Sequence, residues 1–401
     1  RLVCTFSALL LVIPLNTFAQ ERMSLDAFLN KVREQNLDLK AESAKSEAAQ
    51  ANAVGLAIPP PMAGVNQMRE DTGNTANGFE ISQNIPFPTK LTSDSSARKN
   101  AAKSQGEMRL ARASEVLARA KLLYFSLWTN QERLGLLRDK KQVLENHIKL
   151  ARSSARSDSF AGIHLLKTES DRDLVGNDIL SAEQNVRERQ TEIAVFINAD
   201  PNAFRVLAEE PPISFVPKID SVTTSHQVRA STLSLESFKS RESEARSSWF
   251  PDINLRYKEM GSTSMFSGYK EVMVGVTLPF VFFWEPNSAV NKASAERSQA
   301  EYELEKQKRE IEAERVVLIS KAETLKKQLE TLTNKLIPRA EKRMKLVHNL
   351  APRDMETLQD HRETMEAFPE LKMKRLEIRM EYEQVISSLE KYLSQKGSDH
   401  E

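Results

Sequence analysis

Two stretches of the chain alternate apolar and polar residues with a period of two, and each runs into a much longer stretch with the period of a helix. The first is 78–88, Gly-Phe-Glu-Ile-Ser-Gln-Asn-Ile-Pro-Phe-Pro. The second is 271–280, Glu-Val-Met-Val-Gly-Val-Thr-Leu-Pro-Phe. At one constant offset Ile81 matches Val274, Ile85 matches Leu278, Pro86 matches Pro279 and Phe87 matches Phe280. Strict alternation is the mark of a strand with one apolar face, and Pro-Phe ends each strand. About sixty residues nearly free of Gly and Pro follow each copy, so each continues as one long helix. A strand-to-helix unit that occurs twice predicts an internal duplication.

Both long runs carry apolar residues at alternating spacings of three and four. In the first they are Val116, Ala120, Leu123, Leu127, Leu134, Leu137, Leu144, Ile148 and Ala151. In the second they are Leu304, Ile311, Leu318, Leu325, Leu329, Leu332 and Leu336. That period, sustained over several heptads, predicts antiparallel coiled-coil hairpins. The first helix is expected over 91–154, breaks near Arg156, Ser157 and Asp158, and returns over 162–198. The second is expected over 287–350, breaks at Leu350, Ala351 and Pro352, and returns over 353–393.

The remaining segments fill the same order twice. Ser24 is placed to cap a helix over 24–57, which stops before Pro59-Pro60-Pro61. A weaker strand is expected at 62–70 and a polar turn at 71–77. In the second half a helix over 233–249, an alternating strand over 252–258 and a Gly- and Ser-rich loop over 261–269 precede the return strand. The predicted organisation is a first repeat over 20–200, with a hairpin at about 60–88 and a helical hairpin at about 91–198. A Pro-containing linker covers 201–226. A second repeat covers 227–393, with a hairpin at about 251–281 and a helical hairpin at about 287–393, and a polar tail covers 394–401.

Composition agrees with a mainly helical chain. Gly numbers 12 of 401 residues and the formal net charge is +1. Near-neutral charge without a basic aromatic stripe gives no reason to expect nucleic acid. Residues 1–19 have a basic start, a short apolar core and Thr17-Phe18-Ala19, the features of an export signal cut after Ala19. Cys4, the single cysteine, lies within that signal. No later stretch is apolar for long enough to span a bilayer as a helix, so any crossing would use strands. The six His residues show no metal-ligand spacing, and no Gly-rich phosphate loop or nucleophile–base pair is present. Neither enzyme chemistry nor a cofactor is therefore expected. His147, His164, His348 and His361 flank the helix breaks and are expected at the surface.

The junction 85–91, Ile-Pro-Phe-Pro-Thr-Lys-Leu, the entry 249–255, Trp-Phe-Pro-Asp-Ile-Asn-Leu, and the exit Leu278-Pro279-Phe280 resemble those of the outer-membrane efflux family, the TolC-like channels. The resemblance covers nearly the whole chain after the signal. It implies a homotrimer in the outer membrane of a Gram-negative bacterium. Each chain would give two β-hairpins to a shared twelve-stranded barrel in outer-membrane lipid, and long coiled-coil helices to a periplasmic tunnel. It further implies a periplasmic adaptor protein and an inner-membrane transporter as partners. The adaptor would meet the helix tips at Arg156, Ser157, Asp158, Leu350, Ala351, Pro352 and Arg353. Alternation then assigns Phe79, Ile81, Ile85, Val272, Val274, Val276 and Leu278 to lipid. Glu80, Ser82, Asn84, Met273, Gly275 and Thr277 are assigned to the lumen. Glu356, Asp360 and Glu363 fall on one helix face after the second tip, where the resemblance implies a periplasmic entrance. The competing expectation is a periplasmic adaptor or scaffold, which would carry one helical hairpin flanked by small β domains.

Overall fold

The computed structural model describes residues 21–69, 71, 73–154, 159–217, 225–348 and 355–392. The export signal, both tip sequences around 156–158 and 350–353, and the polar tail lie outside the described residues. In chain order the elements are β1 (Glu21–Met23), α1 (Leu25–Gln35), α2 (Leu37–Asn52), β2 (Met62–Arg69), β3 (Thr75–Ile85), α3 (Pro88–Ser154) and α4 (Ser159–Phe196). There follow β4 (Val206–Ala208), α5 (His226–Ser247), β5 (Ile253–Met260), β6 (Tyr269–Val276), α6 (Trp284–Thr331), α7 (Ile337–His348) and α8 (Met355–Glu390). The order helix, strand, strand, long helix, return helix occurs twice.

The chain divides into two compact units, and each draws on both halves of the sequence. One comprises the described residues of Arg1–Lys31, Leu123–Pro212 and Ala340–Leu376. Within it β1 and β4 form a two-stranded parallel sheet, with Arg22 opposite Leu207. Side chains of α3 fix this sheet from the side. Gln131 accepts a hydrogen bond from the Ala208 amide at 2.9 Å and donates to the Val206 carbonyl at 2.9 Å, as a neighbouring strand would. The Tyr124 hydroxyl lies 2.5 Å from the Met23 carbonyl and 2.9 Å from that of Glu209, so its one proton is shared between them. Its ring stacks on Phe28. Burial, opposed by the bond to Glu209, pushes the phenol up to about 12 and keeps it a donor. The linker sequence predicts none of this pairing. Three-residue strands carry no readable period, and their partner lies far away in sequence.

The other unit comprises Val32–Leu122, Ile213–Arg339 and the described part of Glu377–Glu401. Val228 and Leu235 of α5, Leu304 and Ile311 of α6, and Tyr392 form one apolar cluster. Serine hydroxyls mark where α3 and α5 approach closely. Ser104 donates to the Ala230 carbonyl at 2.7 Å and Ser237 to the Ala97 carbonyl at 2.8 Å. Lys391 and the Tyr392 hydroxyl both reach Glu314 of α6. The segment around Ser214 is held against α8, where Tyr382 donates to the Ser214 carbonyl and the Ser214 amide donates to Glu383. Burial pushes the Glu383 carboxyl upward.

Several boundaries differ from expectation, each for a local reason. The helix expected over 24–57 begins as predicted, with the Ala27 amide bonded to Ser24 Oγ, but breaks at Asn36. Asn36 takes an extended conformation and caps α2 through the Leu39 amide. That helix ends at Asn52, followed by Gly55 with φ +75°. Arg98 of α3 donates to the carbonyls of Asn52 and Gly55, satisfying acceptors the helix end leaves open. β3 starts at Thr75, which shortens the polar turn, and α5 starts at His226 instead of 233.

The second long helix is interrupted by a π-turn at Leu332–Leu336. Pro338 explains it. Proline has no amide to give the carbonyl four residues back and its ring clashes there, so the turn widens. The Ile337 amide accordingly bonds the Leu332 carbonyl, five residues back. The apolar stripe holds through Leu329 and Leu332, which are buried, whereas Leu336 is exposed. One inserted residue rotates the remainder of the helix by about 100°.

Tyr124→Phe keeps the ring on Phe28 and removes only the hydroxyl. The buried Met23 carbonyl and the part-buried Glu209 carbonyl then lose a donor, which should cost about 1–2 kcal/mol. A lowered thermal midpoint in far-ultraviolet circular dichroism, at a matched heating rate, is the expected result. An unchanged midpoint would mean the phenol does not hold β1 to β4.

Candidate functional site

The four longer strands form one antiparallel sheet in the order β2-β3-β5-β6. Register brings like residues onto like faces. Val65, Phe79 and Glu259 lie opposite one another, as do Ala63, Ile81 and Tyr257. Tyr257 faces Val272, Leu255 faces Val274 and Ile253 faces Val276. One face is therefore largely apolar from edge to edge. Val272, Val274 and Val276 are exposed, Val274 at 67%. Phe79 and Ile81 are exposed on the same face, while Ile85, the last residue of β3, is half-buried opposite Ile253.

The other face is polar. Glu80 lies opposite Lys258, which lies opposite Glu271, and Ser82 lies opposite Arg256, which lies opposite Met273. Arg256 sits 3.8 Å from Glu80 and 4.0 Å from Glu271, and Asn66 donates to Glu80. Asn84, Asn254 and Gly275 continue this face. Gly78 is needed where β3 passes the end of β5, because a Cβ there would stand 2.2 Å from the Glu259 carbonyl oxygen.

Two of the assigned face positions fall outside the strands. β6 ends at Val276, so Thr277 and Leu278 belong to the exit turn. Thr277 instead closes the hairpin: its amide donates to the Asp252 carbonyl and its hydroxyl accepts from the Asp252 amide at 2.7 Å. The Asp252 carboxylate in turn accepts from the Phe87 amide at 2.9 Å and from Lys90 at 2.7 Å. Phe87 stacks on Phe250 at 4.6 Å. One aspartate thus ties the end of β3, the start of β5 and the end of β6. The sequence signal is present in Pro251-Asp252, but the alternating pattern assigns Asp252 to the strand itself.

The unit that contains β1 and β4 holds a polar cluster of its own. Arg362 of α8 bridges Asp171 of α4 and Glu366 of α8. His147 of α3 lies edge-on to His361, their ring centroids 5.0 Å apart. His147 is 4% exposed, so the expected surface position is wrong for it. Its place on α3 is one residue before Ile148, inside the buried stripe. Burial first, then His361 and Arg362, lower its pKa to about 4, against a raising influence from Glu366. His164 and His361 are half-buried.

Glu356, Asp360 and Glu363 all lie in α8, and Glu363 is exposed. The side chains of Glu356 and Asp360 fall outside the described residues, as do all seven tip positions. No helix among the described residues is long and apolar enough to cross a membrane.

Residues 221–348 match the family model described as outer membrane efflux protein. That stretch holds α5, the β5–β6 hairpin and the second long helix, including both of its sheet junctions. No curated protein matches the chain by sequence. Solved structures match it over nearly its full length. The CmeC outer membrane channel of Campylobacter jejuni matches at TM-score 0.75 and 14% identity, over 93% of this chain and 87% of that one. The MtrE outer membrane channel of Neisseria gonorrhoeae, in its open state, matches at 0.74 and 15%, over 92% and 88%. The outer-membrane channel OprN matches at 0.76 and 12%, over 92% and 89%. The fold, long helices and a small antiparallel sheet, is the one these solved channels share.

The lowered pKa of His147 predicts that the unit containing β1 and β4 loses stability in acid. A buried neutral His binds fewer protons folded than unfolded between pH 6.5 and its lowered pKa. Its contribution is therefore complete above about pH 6.5 and is lost progressively as the pH falls toward about 4. Hydrogen-exchange protection factors in the second half of α3, corrected for the intrinsic rate at each pH, should fall as the pH drops through that window, and His147→Gln should flatten the response. An equally steep response in the variant would assign it to other groups.

Proposed function

We propose that the chain is one subunit of an outer-membrane efflux channel that passively conducts substrates from the periplasm to the outside. The observation that carries this is the sheet. It is apolar on one side and charged on the other, and its outer strands, β2 and β6, each have one neighbour among the described residues. An open edge is untenable in lipid, where backbone groups find no water. Three copies joined β6 to β2 would make a closed barrel of twelve strands, with Val274 and its neighbours toward lipid and Arg256, Glu80 and Glu271 toward the lumen. The helices would continue the conduit in the periplasm. An adaptor would meet the tips at Arg156–Asp158 and Leu350–Arg353, and an inner-membrane transporter would supply the energy. The adaptor reading of the chain itself loses its support, because the described residues carry no pair of small β domains flanking a single hairpin.

Two adjacent strands test the faces with one substitution type. Val274 and Asn254 lie on opposite faces of the sheet. Arg on the lipid side near the midplane costs roughly 2–4 kcal/mol per chain, and a lumen position tolerates it. Val274→Arg should deplete heat-resistant trimer in outer-membrane fractions on unheated gels, while Asn254→Arg should leave it. Equal yields would overturn the face assignment, and a wild type absent from the outer membrane would overturn the channel.

At the other end, threefold symmetry would gather Glu356, Asp360 and Glu363 from each copy into an acidic entrance. Replacing all three with Gln should weaken block of single-channel current by multivalent cations applied from the periplasmic side. Unaltered block would leave these carboxylates as an ordinary solvated face.

A further inference from the structure

We propose that Arg256 and Lys258 of β5 form a transit site for anionic groups, which takes a carboxylate or phosphate of the exported substrate as it passes the sheet. The proposal rests on the channel reading above and adds to it the chemistry of what is conducted.

Among the described residues the polar face of the sheet carries four charged side chains: Glu80, Arg256, Lys258 and Glu271. Register gathers them into two adjacent rows. Lys258 lies opposite Glu80 on one side and Glu271 on the other, and Arg256 lies one row nearer the start of β5. The rows beyond them are uncharged, Gly78 and Met260 on one side and Asn84 and Asn254 on the other. The two cations are two residues apart on one strand, so they share a face about 7 Å from each other.

Neither cation is spent within the sheet. Arg256 stands 3.8 Å from Glu80 and 4.0 Å from Glu271, too far for a hydrogen bond to either. Glu80 instead accepts from Asn66. The Arg256 Nε is buried and has no hydrogen-bond partner among the described residues. Lys258 has no ion pair among the described residues despite a glutamate on each side, and its ammonium lies 5.9 Å from the centre of the Tyr269 ring.

Contacts that hold this sheet together close further than that. Asp252 meets Lys90 at 2.7 Å, and on the apolar face Glu259 accepts from Tyr257 at 2.7 Å. Partly exposed pairs as loose as those of Arg256 contribute little to stability. A guanidinium flanked in this way keeps its planar fork of donors for an oxyanion, with Lys258 as a second point charge beside it.

The two carboxylates give the site its weakness. Conduction needs a site that binds enough to admit an ion and loosely enough to release it. Glu80 and Glu271 compete for both cations and repel an anion held between them. β5 runs from the end of α5 toward the hairpin loop, so an outbound anion would meet Arg256 first and Lys258 next. Three copies would offer three such steps around the lumen.

Block of single-channel current by the full-length protein in planar bilayers at low ionic strength tests this. Citrate and inorganic tripolyphosphate are the probes, and sucrose is the uncharged control. Both anions should block the wild type, and sucrose should not. Arg256→Gln should raise the half-blocking concentration about three- to tenfold. Arg256→Lys, which keeps the charge without the fork, should raise it less. Lys258→Gln should also raise it, Glu80→Gln should lower it, and Lys270→Gln, on the opposite face, should leave it unchanged. A wild type that neither anion blocks, or block that survives both Arg256→Gln and Lys258→Gln, would overturn the site and leave the channel standing. An equal loss of block in Lys270→Gln would overturn it as well, by tracing the effect to net charge. A wild type without conductance would overturn the channel reading and the site together. If Arg256→Gln forms no trimer on unheated gels, Lys258→Gln and Glu80→Gln decide by the same readout.

Discussion

A backbone amide placed in lipid has no water to bond, and under the barrel reading the sheet would be organised by that constraint. Four strands satisfy each other internally, and among the described residues the far sides of β2 and β6 have no neighbour. In water this exposes an aggregation edge; in a bilayer it costs several kcal/mol for each unmet group. Under that reading, closure on copies of the same chain would remove both costs, and the same constraint would account for the alternation. A closed wall one residue thick has two faces, so every strand must present lipid-compatible and lumen-compatible residues in turn. The charges on the polar face are mutually paired: Arg256 stands between Glu80 and Glu271.

Where the sheet meets the helices, the chain must change from a period of two to one near 3.5 without losing backbone partners. Asp252 resolves most of this at one point. Its carboxylate takes the Phe87 amide and Lys90 at the exit of β3, while its backbone exchanges bonds with Thr277 at the exit of β6. Pro88 then opens α3 at a position where a missing amide costs nothing. The two exits are not equivalent. The first turns at once into its helix under the Phe87–Phe250 stack, and the second takes the 3-10 turn through Pro279–Phe282.

Much of this is legible in the sequence because period is a local property. The alternating runs locate three strands well and the fourth weakly, and the spacing of three and four locates both long helices. Ser24 is legible as a cap for the same reason. The features that escape such a reading are decided elsewhere. The β1–β4 pair depends on Tyr124 and Gln131, about a hundred residues from β1, and three-residue strands have no period. Pro338 is visible, but its effect, a π-turn that exposes Leu336, depends on how the helix accommodates it. Residue type assigns His147 to the surface, although it adjoins a stripe position. Thr277 fits the alternation, yet the strand has already ended, because a pattern does not show where hydrogen bonding stops. The aromatic run after Leu278 falls between the strand expected to end at Phe280 and the helix expected from 287, so period says nothing of it, and its rings are exposed.

The helices leave apolar surface of their own. On α4, Ile163, Leu166, Leu174 and Leu180 are exposed, and on α6, Tyr302, Val316 and Val317 are. Each lies on a helix whose opposite side is already packed within its unit. Isolated exposed leucines need no explanation, but spacings of three and eight on one helix face do. Under the trimeric reading both the strand edges and these helix faces would be covered by the same neighbouring copies. Stability would then depend on protomer concentration, because partner contacts that bind only the folded chain add to its free energy of unfolding. The monomer would be an incomplete fold at its sheet and along its helices alike. Such a chain has reason to assemble before or during insertion, since every exposed apolar face is a site for wrong association until its partner arrives.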